Sequence, residues 1–227
     1  LRLRGEGMGR RATARILGTH KNTIAEWERR FGGMKSTPMR YGWCQTFMRL
    51  TLEGDEVYTV VGQRVDPADS TGWTVIILAR ASRFRVDRQC GRKDATLFEK
   101  VMKSVAAHVR RTQDTTFLSD GERRYGNALF ELCAQTVRTG QRGRPRRTLP
   151  KGCRVRIKHK GSQRHRRGPK RPKYQAPQPE HPDTPRDVPA AAIHAHHPEG
   201  HNAALRRRNS AFRRRTHTYA KNTETLQ

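Results

Sequence analysis

The order of strand-like and helix-like segments between residues 46 and 137 restricts the possible folds more than any other feature of the chain. β-branched and aromatic residues with strand spacing occur in four segments, 46–52, 57–61, 73–78 and 82–89. A helix is predicted over 95–111, where apolar residues recur every four positions, with Asp94 as its cap. A short strand that ends at Asp120 and a helix over 126–137 follow. Strands followed by alternating helices and strands predict an α/β fold.

Two short helices are predicted near the start of the chain. Gly18 separates them as a helix C-cap would, and Thr19 or Asn22 is expected to cap the second helix. Ile24 and Trp27 of the second helix are expected to face the first. This pattern is typical of a DNA-binding helix-turn-helix, and an ordinary helical hairpin is the alternative.

The first residues of the second helix are the candidates for direct contact with DNA. In a helix-turn-helix, the start of the second helix lies where base edges and phosphates are exposed. The residues at this position are His20, Lys21, Asn22 and Thr23.

A large excess of basic residues indicates the class of partner. The chain contains 48 Lys and Arg residues against 20 Asp and Glu residues, a formal net charge of +28. Such an excess indicates a polyanionic partner, and nucleic acid is the first candidate. The sequence has no apolar run long enough to cross a bilayer, so no membrane partner is expected. Only 33% of the residues are hydrophobic, which predicts one modest core.

Residues 140–179 form the most basic part of the chain. They include 15 Lys and Arg residues and no Asp or Glu, and the prolines at positions 145, 150, 169 and 172 exclude a long helix. Residues 153–158 alternate as a single strand would, and residues 175–190 are Pro-rich and predict an extended segment. We expect a basic insertion that becomes ordered on nucleic acid. Its candidate DNA contacts are Arg142, Arg144, Arg146, Arg147, Lys158 and Lys160.

A last helix is predicted to start near Pro198, because proline suits the first helical position. Helix spacing places Asn202 and Arg206 beside Glu199. Two arginine triplets follow seven residues apart, and on one helix they would give a basic face for phosphate contacts. A solvated run of charge is the alternative. The triplets are Arg206, Arg207 and Arg208, and Arg213, Arg214 and Arg215.

Three carboxylates stand out from apolar or basic surroundings. Asp55 and Asp120 each belong to a predicted strand, and Glu199 lies in a strongly basic segment. Because strand ends line the site of an open α/β sheet, the three groups are candidate ligands of a divalent metal, which prefers oxygen ligands. Glu53 and Glu56 compete with Asp55 for this role, and Asp120 also fits a simple turn.

Three segments around these acids resemble the catalytic blocks of bacterial transposases of the insertion-sequence-one type. They are Asp55–Gly62, Leu118–Gly121 with Tyr125–Gly126, and His197–Lys221. Segments 140–149, 160–163 and 171–174 resemble the basic insertion of one branch of that family. The resemblance covers nearly the whole chain, and its third block is the longest.

The resemblance implies an RNase H-like fold, in which a mixed sheet with flanking helices carries an Asp-Asp-Glu triad. On this chain the triad is Asp55, Asp120 and Glu199, with two Mg²⁺ ions, or Mn²⁺ in their place, as cofactors. The implied reaction is hydrolytic nicking at the ends of an element, followed by attack of the freed 3′-hydroxyl on target DNA. Double-stranded DNA is the implied partner, with assembly as a homodimer or higher oligomer in the bacterial cytoplasm at the nucleoid.

The expected domain organisation combines these assignments. Residues 1–33 form a partial helix-turn-helix segment and residues 34–46 a linker. Residues 47–139 and 190–227 form the catalytic domain, and residues 140–189 the basic, Pro-rich insertion. The chain begins with Leu and ends inside a patterned segment, which predicts a fragment truncated at both ends.

Pro198 leaves two alternatives open. Members of the family have an aliphatic residue before the Glu, where this chain has Pro198. A proline inside the helix would swing Glu199 away, whereas a proline that starts the helix does little harm. The alternatives to an active transposase are a nucleic-acid-binding protein without catalysis and a decayed transposase that binds DNA without cleaving it.

Four histidines near the last helix raise a zinc hypothesis that we do not favour. No Cys is adjacent, the segment is basic, and only two of the histidines share helical spacing. Family members carry an N-terminal zinc ribbon, but this sequence contains no Cys-x-x-Cys pair. Zinc is therefore not expected. The four residues are His194, His196, His197 and His201.

Overall fold

A computed structural model describes most of the chain. The described residues are Leu3 and 7–34, 50–112, 114–138, 143–158, 174–185, 188–213 and 220–226. Nearly all of the linker predicted over 34–46 and the start of the first predicted strand lie outside them. Four candidate DNA contacts also lie outside the described residues, namely Arg142, Lys160, Arg214 and Arg215.

A six-stranded sheet forms the centre of the structure. In chain order the strands are β1 (Leu50–Tyr58), β2 (Trp73–Ala79), β3 (Arg85–Gly91), β4 (Thr115–Asp120), β5 (Gln135–Val137), β6 (Arg146–Thr148), β7 (Cys153–Lys158) and β8 (Tyr174–Gln175). Six of them form one sheet in the order β3-β2-β1-β4-β7-β8, while β5 and β6 pair separately. β1 is antiparallel to β2 and parallel to β4, and β4 is parallel to β7. The sheet is therefore mixed.

Helices cover both sides of this sheet. The helices are α1 (Arg10–Ile16), α2 (Lys21–Gly33), α3 (Ala95–Val109), α4 (Arg124–Cys133) and α5 (His196–Arg208). α3 and α4 pack against each other on one side, which we call the core face, and α5 packs on the other side, the α5 face. The predicted α/β class with a mixed sheet and flanking helices is confirmed. The predicted cap of α3 is also confirmed, because the Asp94 carboxylate accepts the N–H of Leu97 at 3.0 Å.

A continuous apolar core closes the core face. Alternate residues of β1 enter it, with Leu50 and Leu52 both buried, and the next inward position is Gly54. A Cβ atom at Gly54 would lie 2.7 Å from the ring of Phe117 and 3.0 Å from the ring of Tyr125. A glycine is therefore required here, because two aromatic rings approach the β1 backbone directly before Asp55.

The α5 face holds a smaller apolar cluster and a larger share of polar groups. Its buried apolar residues are Val57, Ile76, Leu78, Phe212, Ala220 and Leu226. Leu205 of α5 packs against this cluster. Because successive side chains of a strand alternate between faces, Glu53 and Asp55 lie on the α5 face together with Val57.

Several predicted element boundaries are wrong. The segments 46–52 and 57–61 do not form two strands, since residues 50–58 are one continuous strand. The helix predicted over 126–137 ends at Cys133, and residues 135–137 form β5. Ala134 leaves the helical conformation, with φ −58° and ψ 136°, and the chain then pairs with β6.

Part of the segment predicted as an insertion belongs to the central sheet. β7 pairs with β4 over its whole length, and the core face buries its alternate residues Cys153, Val155 and Ile157. Residues 174–185 also contact the sheet, because the Glu180 carboxylate pairs with Arg156 on β7. The basic, Pro-rich composition concealed these sheet contacts. The boundary of 140–189 therefore does not separate an insertion from the α/β unit.

The two N-terminal helices are present, with two corrections. Gly18 separates them with a φ of +59°, and Ile24 is buried as predicted. Trp27, however, is 52% exposed, because α1 spans only seven residues and does not cover it. The cap of α2 is neither Thr19 nor Asn22: the His20 Nδ1 atom accepts the N–H of Asn22 at 3.3 Å.

The arginine triplets do not share one helix. α5 ends at Arg208, and the next residue, Asn209, has φ −122° and ψ 115°. A 3₁₀ turn over Ser210–Phe212 follows and buries Phe212 in the cluster of the α5 face. The break in the helix therefore coincides with burial of this ring. The predicted basic face with a seven-residue repeat is therefore wrong.

Pro198 lies in the first turn of the last helix and does not interrupt it. It is the third residue of α5, and the N–H of Glu199 makes the first intrahelical bond, to the carbonyl of Ala195 at 3.4 Å. The first three residues of a helix have no intrahelical acceptor for their N–H groups, so a proline there costs no hydrogen bond. Pro198 therefore removes no hydrogen bond from this helix, as expected for a proline near a helix start.

Candidate functional site

Asp55 and Asp120 lie side by side on the α5 face. β1 and β4 pair in parallel, with Gly54 opposite Ser119. Asp55 directly follows Gly54 and Asp120 directly follows Ser119, so the same register places the two aspartates opposite each other. Neighbouring strands are separated by roughly 4.8 Å, and residues in register point to the same face. Lys158 of β7 pairs with Asp120 on the other side. The sheet thus places two carboxylates and one amine in a row across three adjacent strands.

α5 is bonded directly to this row. The Asn202 side chain, which is 3% exposed, donates its Nδ2 hydrogen to Asp55 Oδ2 at 2.8 Å. Glu199 lies three residues earlier on the same side of the helix. Its side chain is half exposed, and His196 Nδ1 lies 3.7 Å from its Oε2 atom. The hydrogen bond to Asp55 therefore brings the third predicted acid above β1.

Burial and neighbouring carboxylates perturb Asp55. They raise its pKa from 3.8 to about 6, with burial as the largest cause, followed by the charge of Glu56 and, more weakly, that of Glu199. Hydrogen bonds from the backbone of Glu56 and from Asn202 oppose the rise in pKa. A carboxylate crowded by other carboxylates in a desolvated position is typical of sites that bind a cation.

The three predicted ligands do not form a tight cluster. Among the described residues, the acidic and imidazole groups whose ligand atoms all lie within 4.8 Å of one another are Glu53, His194 and His197. Asp55 and Asp120 are adjacent through the strand register, and Glu199 is near enough to Asp55 to influence its pKa. The structure thus brings two acids together and leaves the third at the edge of the site.

A buried polar network beside this site was missed from the sequence. Glu53 is 0% exposed and pairs with Arg80, which directly follows β2. Arg80 also donates to the backbone carbonyls of Ala192 at 2.7 Å and His194 at 2.8 Å. A signal for it is present in the sequence, because Glu53 and Asp55 are two acids on one face of an otherwise apolar strand. Two carboxylates so close together predict a basic partner for at least one of them.

The predicted DNA contacts fall into separate regions. Lys158, Asn202 and Arg206 lie at the site and are half-buried or buried, while Arg207, Arg208 and Arg213 are exposed beyond it. Arg144, Arg146 and Arg147 are exposed on and before β6, where Arg147 stacks over Phe130 at 5.3 Å. On α2, Lys21 and Asn22 are exposed, as is the capping His20, and Thr23 is half-buried.

No helix among the described residues combines the length and the apolar character needed to cross a membrane. Comparisons with protein-family models, with curated proteins and with solved structures find no match to this chain.

Proposed function

We propose that this chain is a metal-dependent DNA transposase with an RNase H-like catalytic domain. It nicks DNA at the ends of an element and joins the freed 3′-hydroxyl to target DNA. The observation that carries the proposal is the placement of Asp55 and Asp120 in register on two parallel strands, with α5 bonded to Asp55 above them. The sheet order, in which an antiparallel β1-β2-β3 meander joins parallel β4 and β7, supports the RNase H-like assignment.

The donor set fits a divalent cation. Asp55 and Asp120 offer carboxylate oxygens from adjacent strands, and the raised pKa of Asp55 reflects carboxylate crowding that a cation would relieve. Glu199 is the third ligand in this proposal. Bound Mg²⁺ or Mn²⁺ supplies the Lewis acidity that activates the attacking oxygen and stabilises charge on the leaving oxygen. Asn202 orients the Asp55 carboxylate through its amide hydrogen bond.

Basic residues around the acids supply the contacts to DNA. Lys158 is adjacent to Asp120 in the sheet, and Arg206 lies one turn beyond Asn202 on α5. Arg207 and Arg208 continue to the exposed end of the helix. Phosphate contacts of this kind hold the backbone in position without reading its sequence. The selection of element ends belongs in this proposal to α2, whose first residues are exposed.

Nicking of supercoiled DNA tests the proposed function. The plasmid carries the DNA that flanks the coding sequence, and Mg²⁺ is present or replaced by EDTA. We expect Mg²⁺-dependent nicking that is abolished in Asp55→Ala and in Asp120→Ala, with DNA affinity retained. Asp66→Ala is the matched control, because Asp66 is an exposed acid outside the site. Equal nicking by the parent and by both site variants would exclude the triad.

A second candidate function is DNA binding without cleavage. Glu199 is half exposed and does not form a tight ligand cluster with the two aspartates, which favours this alternative. This alternative would be supported if the protein without substitutions binds the same DNA but leaves it intact with both Mg²⁺ and Mn²⁺. With either function we expect the DNA association constant to fall steeply with salt concentration. The slope of its logarithm against the logarithm of the salt concentration should be steeper than about −3, which corresponds to at least three neutralised phosphates.

A further inference from the structure

Glu53 is a fully buried carboxylate whose partners lie in two distant parts of the chain. Arg80 donates to it from the end of β2, and His197 contacts it from α5, with Nδ1 at 2.8 Å from Oε1. A buried carboxylate is costly unless it is paired and hydrogen-bonded, so this one holds its partners in place. Arg80 also binds the backbone carbonyls at 192 and 194, which tethers the segment directly before α5 to the sheet.

The same carboxylate supplies the cap that α5 lacks. The N-cap residue, Ala195, makes no side-chain capping bond. Instead, the backbone N–H of His197 donates to Glu53 Oε2 at 3.2 Å. Free N–H groups in the first turn favour an acceptor with negative charge. Glu53 therefore caps a helix that follows it by 144 residues in the chain.

Two contacts, between Glu53 and His197 and between Asp55 and Asn202, act as anchors that fix the position of α5 along β1. Glu53 and Asp55 are two residues apart on one face of β1, which spans roughly 6.6 Å. Their partners His197 and Asn202 are five residues apart on α5, which spans roughly 7.5 Å. The helix therefore lies along the strand, and Glu199, between the two anchors in sequence, is held near Asp55.

We propose that Glu53, with Arg80, is a positioning residue that fixes α5 so that Glu199 faces the site of Asp55 and Asp120. The inference rests on the proposed function and deepens it. Glu53 acts through the helix and does not reach the reacting atoms in this assignment. The acid predicted as a competitor of Asp55 thus has a separate role on the same strand.

A metal ion bound by Glu53, His194 and His197 is the rival explanation. Their ligand atoms lie within 4.8 Å of one another. However, the guanidinium of Arg80 already contacts Glu53 and lies 3.3 Å from the His194 Nδ1 atom. A cation in the centre would have to displace this built-in positive charge. The geometry therefore favours a structural ion pair over a metal site.

The test compares Glu53→Gln with Glu180→Gln in the whole protein. Glu180 is the matched control, because it pairs with Arg156 on the same sheet but away from α5. The first readout is hydrogen–deuterium exchange of the segment around His197 without metal. We expect exchange about fivefold or more faster in Glu53→Gln, through loss of the cap, and no change in Glu180→Gln. Equal exchange of this segment in the parent and in Glu53→Gln would overturn the inference.

The second readout is Mg²⁺-dependent nicking, with kcat and KM for DNA measured separately. We expect kcat to fall roughly 10- to 100-fold in Glu53→Gln, with KM unchanged, and both constants to stay unchanged in Glu180→Gln. Faster exchange with an unchanged kcat would mean that Glu53 only stabilises the helix, and would overturn its positioning role. A parent that does not nick would overturn the proposed function and the catalytic part of this inference, while the exchange experiment would still decide whether Glu53 holds α5.

Titration with Zn²⁺ distinguishes the structural ion pair from the rival metal site. With Arg80 in place we expect no change in exchange of the segment around His197 when Zn²⁺ is titrated into the parent. Protection of this segment by Zn²⁺, lost in His194→Ala, would assign a metal site there and overturn the ion-pair assignment.

Discussion

The two faces of the central sheet use the same strands for different purposes. On the core face, Leu52 and Phe117 are fully buried among apolar residues of α3 and α4. On the α5 face, the neighbouring positions of the same strands carry Glu53, Asp55 and Asp120. A shift of one residue along β1 therefore separates a position in the apolar core from a position that carries a carboxylate.

The difference shows where this chain holds unfavourable interactions. Apolar burial on the core face is favourable in itself and needs no partner. Carboxylates on the α5 face are stable only with specific partners, and Asp55 retains electrostatic strain even so. We expect substitutions on the core face to destabilise the protein and selected substitutions on the α5 face to stabilise it.

The largest effect is expected for Phe117→Ala on the core face. The Phe117 ring is fully buried and packs against the ring of Tyr125, with centroids 5.2 Å apart. Its removal leaves a cavity beside Gly54, and we expect the free energy of unfolding to fall by about 3–5 kcal/mol. Urea denaturation followed by circular dichroism measures this loss.

Phe31→Ala is the matched control for that prediction. Phe31 lies on α2 and is 51% exposed, so we expect a change within about 0.5 kcal/mol. A similar loss in both variants would contradict the division into two faces, because burial would then not decide the cost of removing a phenyl ring.

An intermediate effect of opposite sign is expected for Asp55→Asn on the α5 face. The pKa of Asp55 is about 6 in the folded protein, against an ordinary value of 3.8, so ionisation at pH 7 opposes folding. An asparagine can still accept the hydrogen bond from Asn202 and carries no charge. We expect the variant to be more stable than the parent by roughly 1–3 kcal/mol at pH 7 in EDTA.

The pH dependence of this gain follows from the direction of the shift. Between about pH 4 and 6 the folded state binds the Asp55 proton more tightly than the unfolded state, so the stability of the parent falls as pH rises through this window. The difference between the parent and Asp55→Asn should therefore vanish below pH 4 and reach its maximum above pH 6. Asp94→Asn, which keeps a good helix cap, is the control and should show no such gain.

The parts of this structure that the sequence predicts are those set by short-range patterns. The periodicity of the segment after Asp94 and its cap predict α3, and the acid at the end of a short apolar strand predicts the place of Asp120. The position of β7 was not predictable in the same way. The alternation of residues 153–158 already indicated a strand, as the structure confirms. Its parallel pairing with β4, however, joins segments more than 30 residues apart, and no local pattern carries that contact.

The candidate site likewise has one part that the sequence predicts and another that it does not. Asp55 and Asp120 come from strands that the sequence already indicates, so their meeting follows from the strand order. The contact between Glu53 and His197 joins residues 144 apart, and no local pattern carries it. The break after Arg208 likewise accompanies burial of Phe212 against the sheet, which is a tertiary contact and not a property of the helix sequence.

The smallest effect on stability is expected for removal of an exposed charge that belongs to neither face of the sheet. Asp69 and Arg92 form an ion pair at 2.8 Å, but their side chains are 70% and 57% exposed. Because solvent screens such a pair, we expect Asp69→Asn to change the free energy of unfolding by less than about 0.5 kcal/mol. Denaturation in low salt and in 1 M NaCl should give the same small difference between this variant and the parent. A loss comparable to the gain in Asp55→Asn would mean that net charge, rather than the burial of a particular carboxylate, controls the electrostatic part of stability in this strongly basic chain.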